Sequence, residues 1–223
     1  MKDNYVNITF VIDESGSMYS SKEDVIGGFK KMIDEQKQEK NGTCTISLYR
    51  FATTVEKDFI GKDVNDIKGL EYSPNGLTAM NDGIGTAIKE VGEWLANMKE
   101  EDRPSKNIFV IMTDGAENNS RKYSFHTVRE MIKHQEEKYN WTFIYMGMDL
   151  SNREDVDKLG IKMSRFSNKS DLSENYSMIS QATCLYRSCS SSVEAQATMD
   201  WMQNECDVQN AKYEADNGVK ITK

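Results

Sequence analysis

The sequence predicts an α/β fold: a doubly wound, mostly parallel sheet with one antiparallel edge strand and helices on both faces. Three observations predict it. Apolar runs of strand length alternate with segments whose apolar residues recur every three or four positions. Two of the runs, residues 6–12 and 108–112, read as strands of a parallel sheet, buried on both faces towards their ends. Both lead into a short polar turn that begins with or soon reaches an aspartate, Asp13 in one case and Asp114 in the other. The chain of 223 residues is long enough for one sizeable core and does not require a second domain.

Taken in order, the first strand alternates Val6, Ile8, Phe10 and Ile12 on one side, with Val11 on the other. Asp13, Ser15 and Ser17 follow two residues apart, and Gly16 allows a tight turn. Ser20 or Ser21 can cap a helix carrying Val25, Ile26, Phe29, Met32 and Ile33 on one face. Asn41-Gly42 ends that helix. Residues 44–51 alternate as a strand with one polar face, and a second strand around 54–60 pairs with it as an antiparallel edge hairpin. The loop over 70–78 holds Pro74 and Gly76. It leads into a helix from about Met80 to Met98, striped by Met80, Ile84, Ala87, Ile88, Val91, Trp94, Leu95 and Met98.

Pro104 breaks the chain before the strand at 107–113. The next helix turns Phe125, Val128, Met131 and Ile132 inward, with His126 and His134 as ordinary helix residues. A strand at 141–146 runs into Gly147-Met148-Asp149. A short helix near 152–158, a last strand at 162–166 and a helix opening near Ser170 complete the alternation. Such alternation implies right-handed crossovers, and ligands that bind beyond the carboxyl ends of the strands.

The division expected along the chain is one domain over 1–187, an additional helix over 188–212 packed on it, and a frayed tail over 213–223. The additional helix carries Ala197, Met199, Trp201 and Met202 and runs to about Cys206. Its second reading is a partner-binding segment that exposes Trp201.

Composition excludes several functions. Apolar residues make up 38% and charged residues 29%, as in a globular protein. A formal charge of -8 argues against nucleic acid or an anionic membrane as the main partner. The amino end carries no signal-peptide pattern, and no apolar run approaches the ~20 residues needed to span a bilayer. The expected location is therefore cytoplasmic. Cys44, Cys184, Cys189 and Cys206 form no Cys-x-x-Cys pair, and with two histidines in the chain a zinc site is not expected. In a reducing compartment these thiols stay unpaired.

Hard oxygens gathered at the carboxyl ends of buried strands suit a hard cation. Asn75-Gly76-Leu77-Thr78 adds a turn ending in another hydroxyl, and residues 108–113 lead into Asp114-Gly115. Here the chain resembles the von Willebrand factor A domain family and its metal-ion-dependent adhesion site (MIDAS). That pattern is Asp-x-Ser-x-Ser, then a loop Thr, then an Asp closing a later strand. It falls on Asp13, Ser15, Ser17, Thr78 and Asp114 without departure, within a resemblance covering roughly residues 1–185. Taken singly, each of the five reads as a turn, cap or strand-end residue; order and spacing together carry the likeness.

The resemblance implies a Rossmann-like sheet and a site for Mg2+, alternatively Mn2+ or Ca2+. It implies hydroxyls that bind the cation directly, aspartates that act directly or through water, and one position open to a carboxylate of a protein partner. Asp13 would orient water and the Ser15 and Ser17 hydroxyls. Glu14, Glu117, Asn118 and Asn119 stand at the rim and are not assigned to the site.

Intracellular relatives in bacteria and phages often work beside AAA+ ATPases, which implies a cytoplasmic complex in a bacterial or infected cell. An enzyme is not expected. A haloacid-dehalogenase-type phosphotransferase needs a second carboxylate two residues after its first, where this chain has Ser15, and no P-loop appears. The expected function is a divalent-metal-dependent protein-binding module. The alternatives are a scaffold whose metal only braces loops while the C-terminal helix makes contacts, and a magnesium-dependent phosphotransfer enzyme.

Overall fold

A computed structural model describes residues 2–148, 153–168, 171–189 and 191–218. The chain runs β1 (Lys2–Asp13), α1 (Lys22–Gln38), β2 (Thr43–Phe51), β3 (Val55–Asp63), α2 (Met80–Ala96), β4 (Pro104–Thr113) and α3 (Phe125–Tyr139). It continues through β5 (Thr142–Gly147), α4 (Arg153–Leu159), β6 (Met163–Phe166), α5 (Leu172–Ser188) and α6 (Ser192–Asn217). The six strands lie in the order β3-β2-β1-β4-β5-β6. β3 is antiparallel to β2 and every other pairing is parallel. From β1 the chain winds outward to β2 and β3, then returns across the sheet to β4. The carboxyl ends of β1 and β4, which carry Asp13 and Asp114, therefore flank the point where strand order reverses.

Two cores form because the strands bury both faces. Val6, Ile8, Phe10 and Ile12 of β1 join Ile108 and Val110 of β4 against α1 and α5. Val11, Phe109, Ile111, Phe143 and Tyr145 face α2 and α3 on the other side. α1 and α5 approach closely at Gly28, where an added Cβ would lie 2.2 Å from Cδ2 of Tyr176. The missing side chain lets the Tyr176 ring pack between α1 and Phe10.

The structure departs from the sequence reading in four places. β2 has no solvated polar face: Thr45 and Ser47 are buried. Their hydroxyls reach Oδ1 of Asn7 at 3.1 and 3.3 Å, so the polar stripe is satisfied inside the fold instead of by water. Ser21 occupies the position before α1 but makes no side-chain cap, because a 3-10 turn over Gly16–Ser21 runs directly into the helix.

α6 continues well beyond Cys206 to Asn217, and its buried face turns as it goes. Met202 and Cys206 join the α1–α5 core, whereas Tyr213 packs on the opposite core. A helix that crosses from one core to the other shows no single apolar stripe, which is why periodicity stopped short. Between these contacts Asn210 accepts the Phe166 N–H at 2.8 Å and donates to the Ser164 carbonyl at 2.7 Å, pairing the outer edge of β6 as another strand would. Trp201 is half-buried against the first core rather than displayed. Of the expected tail, residues 213–217 are helical and 219–223 lie outside the described residues, as do Asp149 and Ser170.

Candidate metal centre

β1 delivers Asp13 into a fully buried position between β2 and β4. Its two carboxylate oxygens are both engaged: Oδ1 accepts the Ser15 N–H at 2.7 Å and Oδ2 accepts the Thr113 hydroxyl at 2.6 Å. Burial pushes this carboxyl up to about 6, against the lowering from the Thr113 and Ser15 hydrogen bonds, and the neighbouring Asp114 pushes the same way as burial. The Asp13 carbonyl accepts the Tyr72 hydroxyl, which ties the strand end to the 70–78 loop.

The turn that follows brings Ser15 Oγ within 3.1 Å of Ser17 Oγ. The Ser17 hydroxyl in turn donates to Asp114 Oδ1 at 2.5 Å. Met18 is buried in the core directly after, which pins the turn. Two backbone bonds join this turn to the next loop: Gly16 N–H to the Gly76 carbonyl at 3.1 Å, and Asn75 N–H to the Glu14 carbonyl at 2.8 Å. Gly76 has φ +84, and a Cβ there would stand 2.5 Å from Thr53 Oγ1, so this turn requires glycine.

Thr78 is placed by its backbone. Its N–H donates to Asn118 Oδ1 at 2.9 Å, and its carbonyl accepts the Asn118 N–H at 3.0 Å. Its hydroxyl and that of Ser17 each lie 3.6 Å from where a Cβ on Gly115 would stand. Absence of a side chain at 115 thus leaves open the space between the two hydroxyls. Ser15, Ser17, Thr78 and Asp114 meet around one small volume, with Asp13 beneath Ser15.

Sequence reasoning set Glu14, Glu117, Asn118 and Asn119 at the rim without a role and overlooked Tyr72, Asp82 and Thr113; these residues hold the arrangement. Glu117 accepts the N–H groups of Asn81, Asn119 and Ser120 at 2.7 to 2.9 Å, so its carboxylate joins the start of α2 to the loop after β4. Asp82 answers from α2 by accepting the N–H groups of Arg121, Lys122 and Tyr123. Glu14 pairs with Arg50 at 2.6 Å and accepts the Ser73 N–H. Thr113 could have been found from register, because Ile12 opposes Met112 and the next pair is Asp13 and Thr113. Nothing local to Tyr72 or Asp82 marks them, and nothing in the sequence gave Glu117 or Asn118 its partner.

Three hydroxyls and two carboxylates are hard oxygen donors of the kind a hard divalent cation takes. Among the described residues, no group of three His, Cys, Asp or Glu side chains is arranged to hold a metal, so a centre here draws on hydroxyls. The donor set fits a hard divalent cation such as Mg2+, Mn2+ or Ca2+ better than a metal that prefers thiolate or imidazole ligands.

The family model of the von Willebrand factor type A domain matches residues 7–181. The fold is similar to proximal thread matrix protein 1 from the mussel byssus, with TM-score 0.63 and 21% identity over 82% of this chain and 48% of that one. A structure of the same mussel protein with a zinc-occupied MIDAS motif gives 0.57 and 19%, over 82% and 47%. The PilB minor pilin from Streptococcus sanguinis gives 0.53 and 12%, over 80% and 61%. The chain thus spans about half the length of the mussel protein. Among curated proteins none matches significantly.

Proposed function

Because the chain belongs to the von Willebrand factor type A domain family, we propose that it is a divalent-metal-dependent protein-binding module. The residues that would hold the cation are Ser15, Ser17 and Thr78 through their hydroxyls and Asp114 through its carboxylate. Asp13 fixes the Ser15 backbone and lends negative charge from below. The cation would supply an electrophilic centre able to take a Glu or Asp carboxylate from a protein partner. Domains of this family are typically non-enzymatic interaction modules, and we assign the chain no catalytic role.

One observation carries this reading: residues from three separate segments converge, with Ser17 Oγ 2.5 Å from Asp114 Oδ1 across 97 positions. Around it, the chain does what such a site needs. Gly115 leaves the approach open. The 70–78 and 114–124 loops are tied to one another and to the strand ends, so the donors are held in place before anything binds. A net charge of -8 repels an acidic partner at long range, so the attraction must be local to the site. Added salt is accordingly expected to speed association with an acidic partner.

We place the protein in the cytoplasm of a bacterial cell or an infected host, within a complex that includes an AAA+ ATPase. No described helix is long and apolar enough to cross a membrane.

The test is thermal unfolding after EDTA treatment, with and without millimolar Mg2+ or Mn2+, in wild type and Asp114→Ala. A cation at ~100 times its dissociation constant stabilises by about 2.7 kcal/mol, a rise of a few degrees for a domain of this size. The wild type is expected to shift and Asp114→Ala not to. An unshifted wild type would sink the metal-dependent reading. It would leave the second one, a scaffold acting through α6, which the exposed Val193 and Val208 support at 77% and 52% accessible. Partner capture lost in Val193→Asp/Val208→Asp but kept in Asp114→Ala would select that scaffold.

A further inference from the structure

The loops that bring the candidate metal donors together also turn two large apolar side chains out to solvent. Tyr19, two residues past Ser17, is 74% accessible, and Leu77, directly before Thr78, is 50% accessible. The fold places both. In the tight turn over Gly16–Ser21, Met18 is buried, so its neighbours Ser17 and Tyr19 face outward. Thr78 is buried beside the other donors, which leaves Leu77 outside, and the Leu77 N–H is fixed to the Thr53 hydroxyl at 3.0 Å. The Gly16–Gly76 backbone bond holds the two loops side by side at 3.1 Å. Among the described residues, these loops expose no other large apolar side chain.

Charge at the same opening says what kind of partner it suits. The chain is acidic as a whole, yet the carboxylates next to the donors are turned inward. Glu14 pairs with Arg50 and accepts the Ser73 N–H. Glu117 takes the Asn81, Asn119 and Ser120 N–H groups. Asp82, in the first turn of α2, takes those of Arg121, Lys122 and Tyr123. Lys122 lays its ammonium over the Tyr123 ring at 5.0 Å, while the Arg121 side chain stays exposed. On the Thr78 side, the opening thus shows solvent a guanidinium and neutral side chains. Glu23 and Asp24, exposed in the first turn of α1, make the far side of Tyr19 acidic. An acidic segment is attracted from the Arg121 side and repelled from the α1 side.

We propose, resting on the metal-dependent reading above, that Tyr19 and Leu77 select the partner: an acidic segment in which an aromatic or branched aliphatic residue stands next to the carboxylate taken by the cation. Coordination alone accepts any Glu or Asp and so cannot tell one partner from another. An apolar neighbour laid over Tyr19 and Leu77 adds burial for the right segment only. It also shuts water away from the carboxylate–cation contact, which strengthens that contact. Tyrosine suits the position, because its ring offers a large rigid contact while its hydroxyl stays wet.

Three capped tetrapeptides serve as probes: Gly-Phe-Glu-Gly, Gly-Gly-Glu-Gly and Gly-Phe-Gln-Gly. Each is titrated into the full chain with Mg2+ and again in EDTA, and amide NMR shifts give the affinity. With Mg2+, wild type is expected to bind Gly-Phe-Glu-Gly about fivefold more tightly than Gly-Gly-Glu-Gly. Gly-Phe-Gln-Gly should not bind at millimolar concentration. Tyr19→Ser/Leu77→Ser should bring the two Glu probes to equal affinity. It should keep the wild-type affinity for Gly-Gly-Glu-Gly and the wild-type Mg2+-induced rise in melting temperature, since neither side chain is a donor.

Equal affinity for the two Glu probes in wild type, or a preference that survives in the double variant, overturns the inference and leaves the metal site standing. So does a melt raised by Mg2+ with no Glu probe bound at millimolar concentration. Binding of Gly-Phe-Glu-Gly that persists in EDTA, or that Gly-Phe-Gln-Gly equals, overturns it as well. A melt that Mg2+ leaves unshifted, with no probe bound, sinks the metal-dependent reading itself.

Discussion

The hydroxyl of Ser17 donates to the carboxylate of Asp114 at 2.5 Å, joining the turn after β1 to the end of β4. Ser17 is exposed while Asp114 is 6% accessible, so the pair sits at the boundary between core and solvent. Removing this hydroxyl takes a hydrogen bond from the buried Asp114 carboxylate and should cost the apoprotein about 1–2 kcal/mol. Ser17→Ala is therefore expected to unfold a few degrees below wild type without metal and, beyond that, to lose most of the Mg2+-induced rise. Paired thermal melts with and without EDTA check this.

Thr113 acts beneath the site. Its hydroxyl donates to Asp13 Oδ2 at 2.6 Å and accepts the Gly115 N–H at 3.1 Å. Thr113→Val keeps the volume and removes both bonds, one of them to a buried carboxylate. A loss of about 2–3 kcal/mol in urea-unfolding free energy is expected, together with a smaller cation-induced shift.

Asn118 positions Thr78 by gripping its backbone at both ends. Asn118→Ala should cost about 1 kcal/mol in stability and weaken the affinity for Mn2+ several-fold, measured by calorimetry. Asn118→Asp keeps the acceptor for the Thr78 N–H and should recover most of the affinity. Equal loss in both variants would remove Asn118 from this role.

The α1–α5 contact gives a pair of opposite expectations. Gly28→Ala places a methyl 2.2 Å from the Tyr176 ring, and is expected to lower stability by about 1–3 kcal/mol. The Tyr176 hydroxyl is buried without a partner among the described residues. Tyr176→Phe removes that orphan at constant shape and should raise stability by up to about 1 kcal/mol. Urea midpoints with unchanged slope would report both.

Stability against alkali is set by two opposed burials. Desolvation holds the Lys106 ammonium down to about 8, so between pH 8 and 10.5 the unfolded chain keeps a proton the native state has lost. Stability from this group therefore rises with pH across that window. Burial lifts the Cys44 and Cys206 thiols to about 12, so above pH 9 the unfolded thiols ionise first and stability falls. Lys106→Met should stabilise by about 1 kcal/mol at pH 7, an advantage that shrinks as pH climbs from 8 to 10.5. Melts of both proteins across that range separate the lysine from the thiols they share.

Much of this architecture is local information. The alternation of apolar strands with three-four helices sets the fold class, because burial on one stripe or two faces imposes its period on the residues themselves. The five candidate ligands could be named from sequence only through the family resemblance, since each alone reads as a turn, cap or strand-end residue. Tertiary structure decided everything that depends on residues distant in sequence. It turned the polar face of β2 inward onto Asn7, committed both oxygens of Asp13 to Ser15 and Thr113, and set Asn118 to hold Thr78. It also carried α6 past one core to the other. A hydrogen bond between positions 13 and 113 imposes no period and no spacing on either neighbourhood. Its partner becomes visible only when β1 and β4 lie side by side.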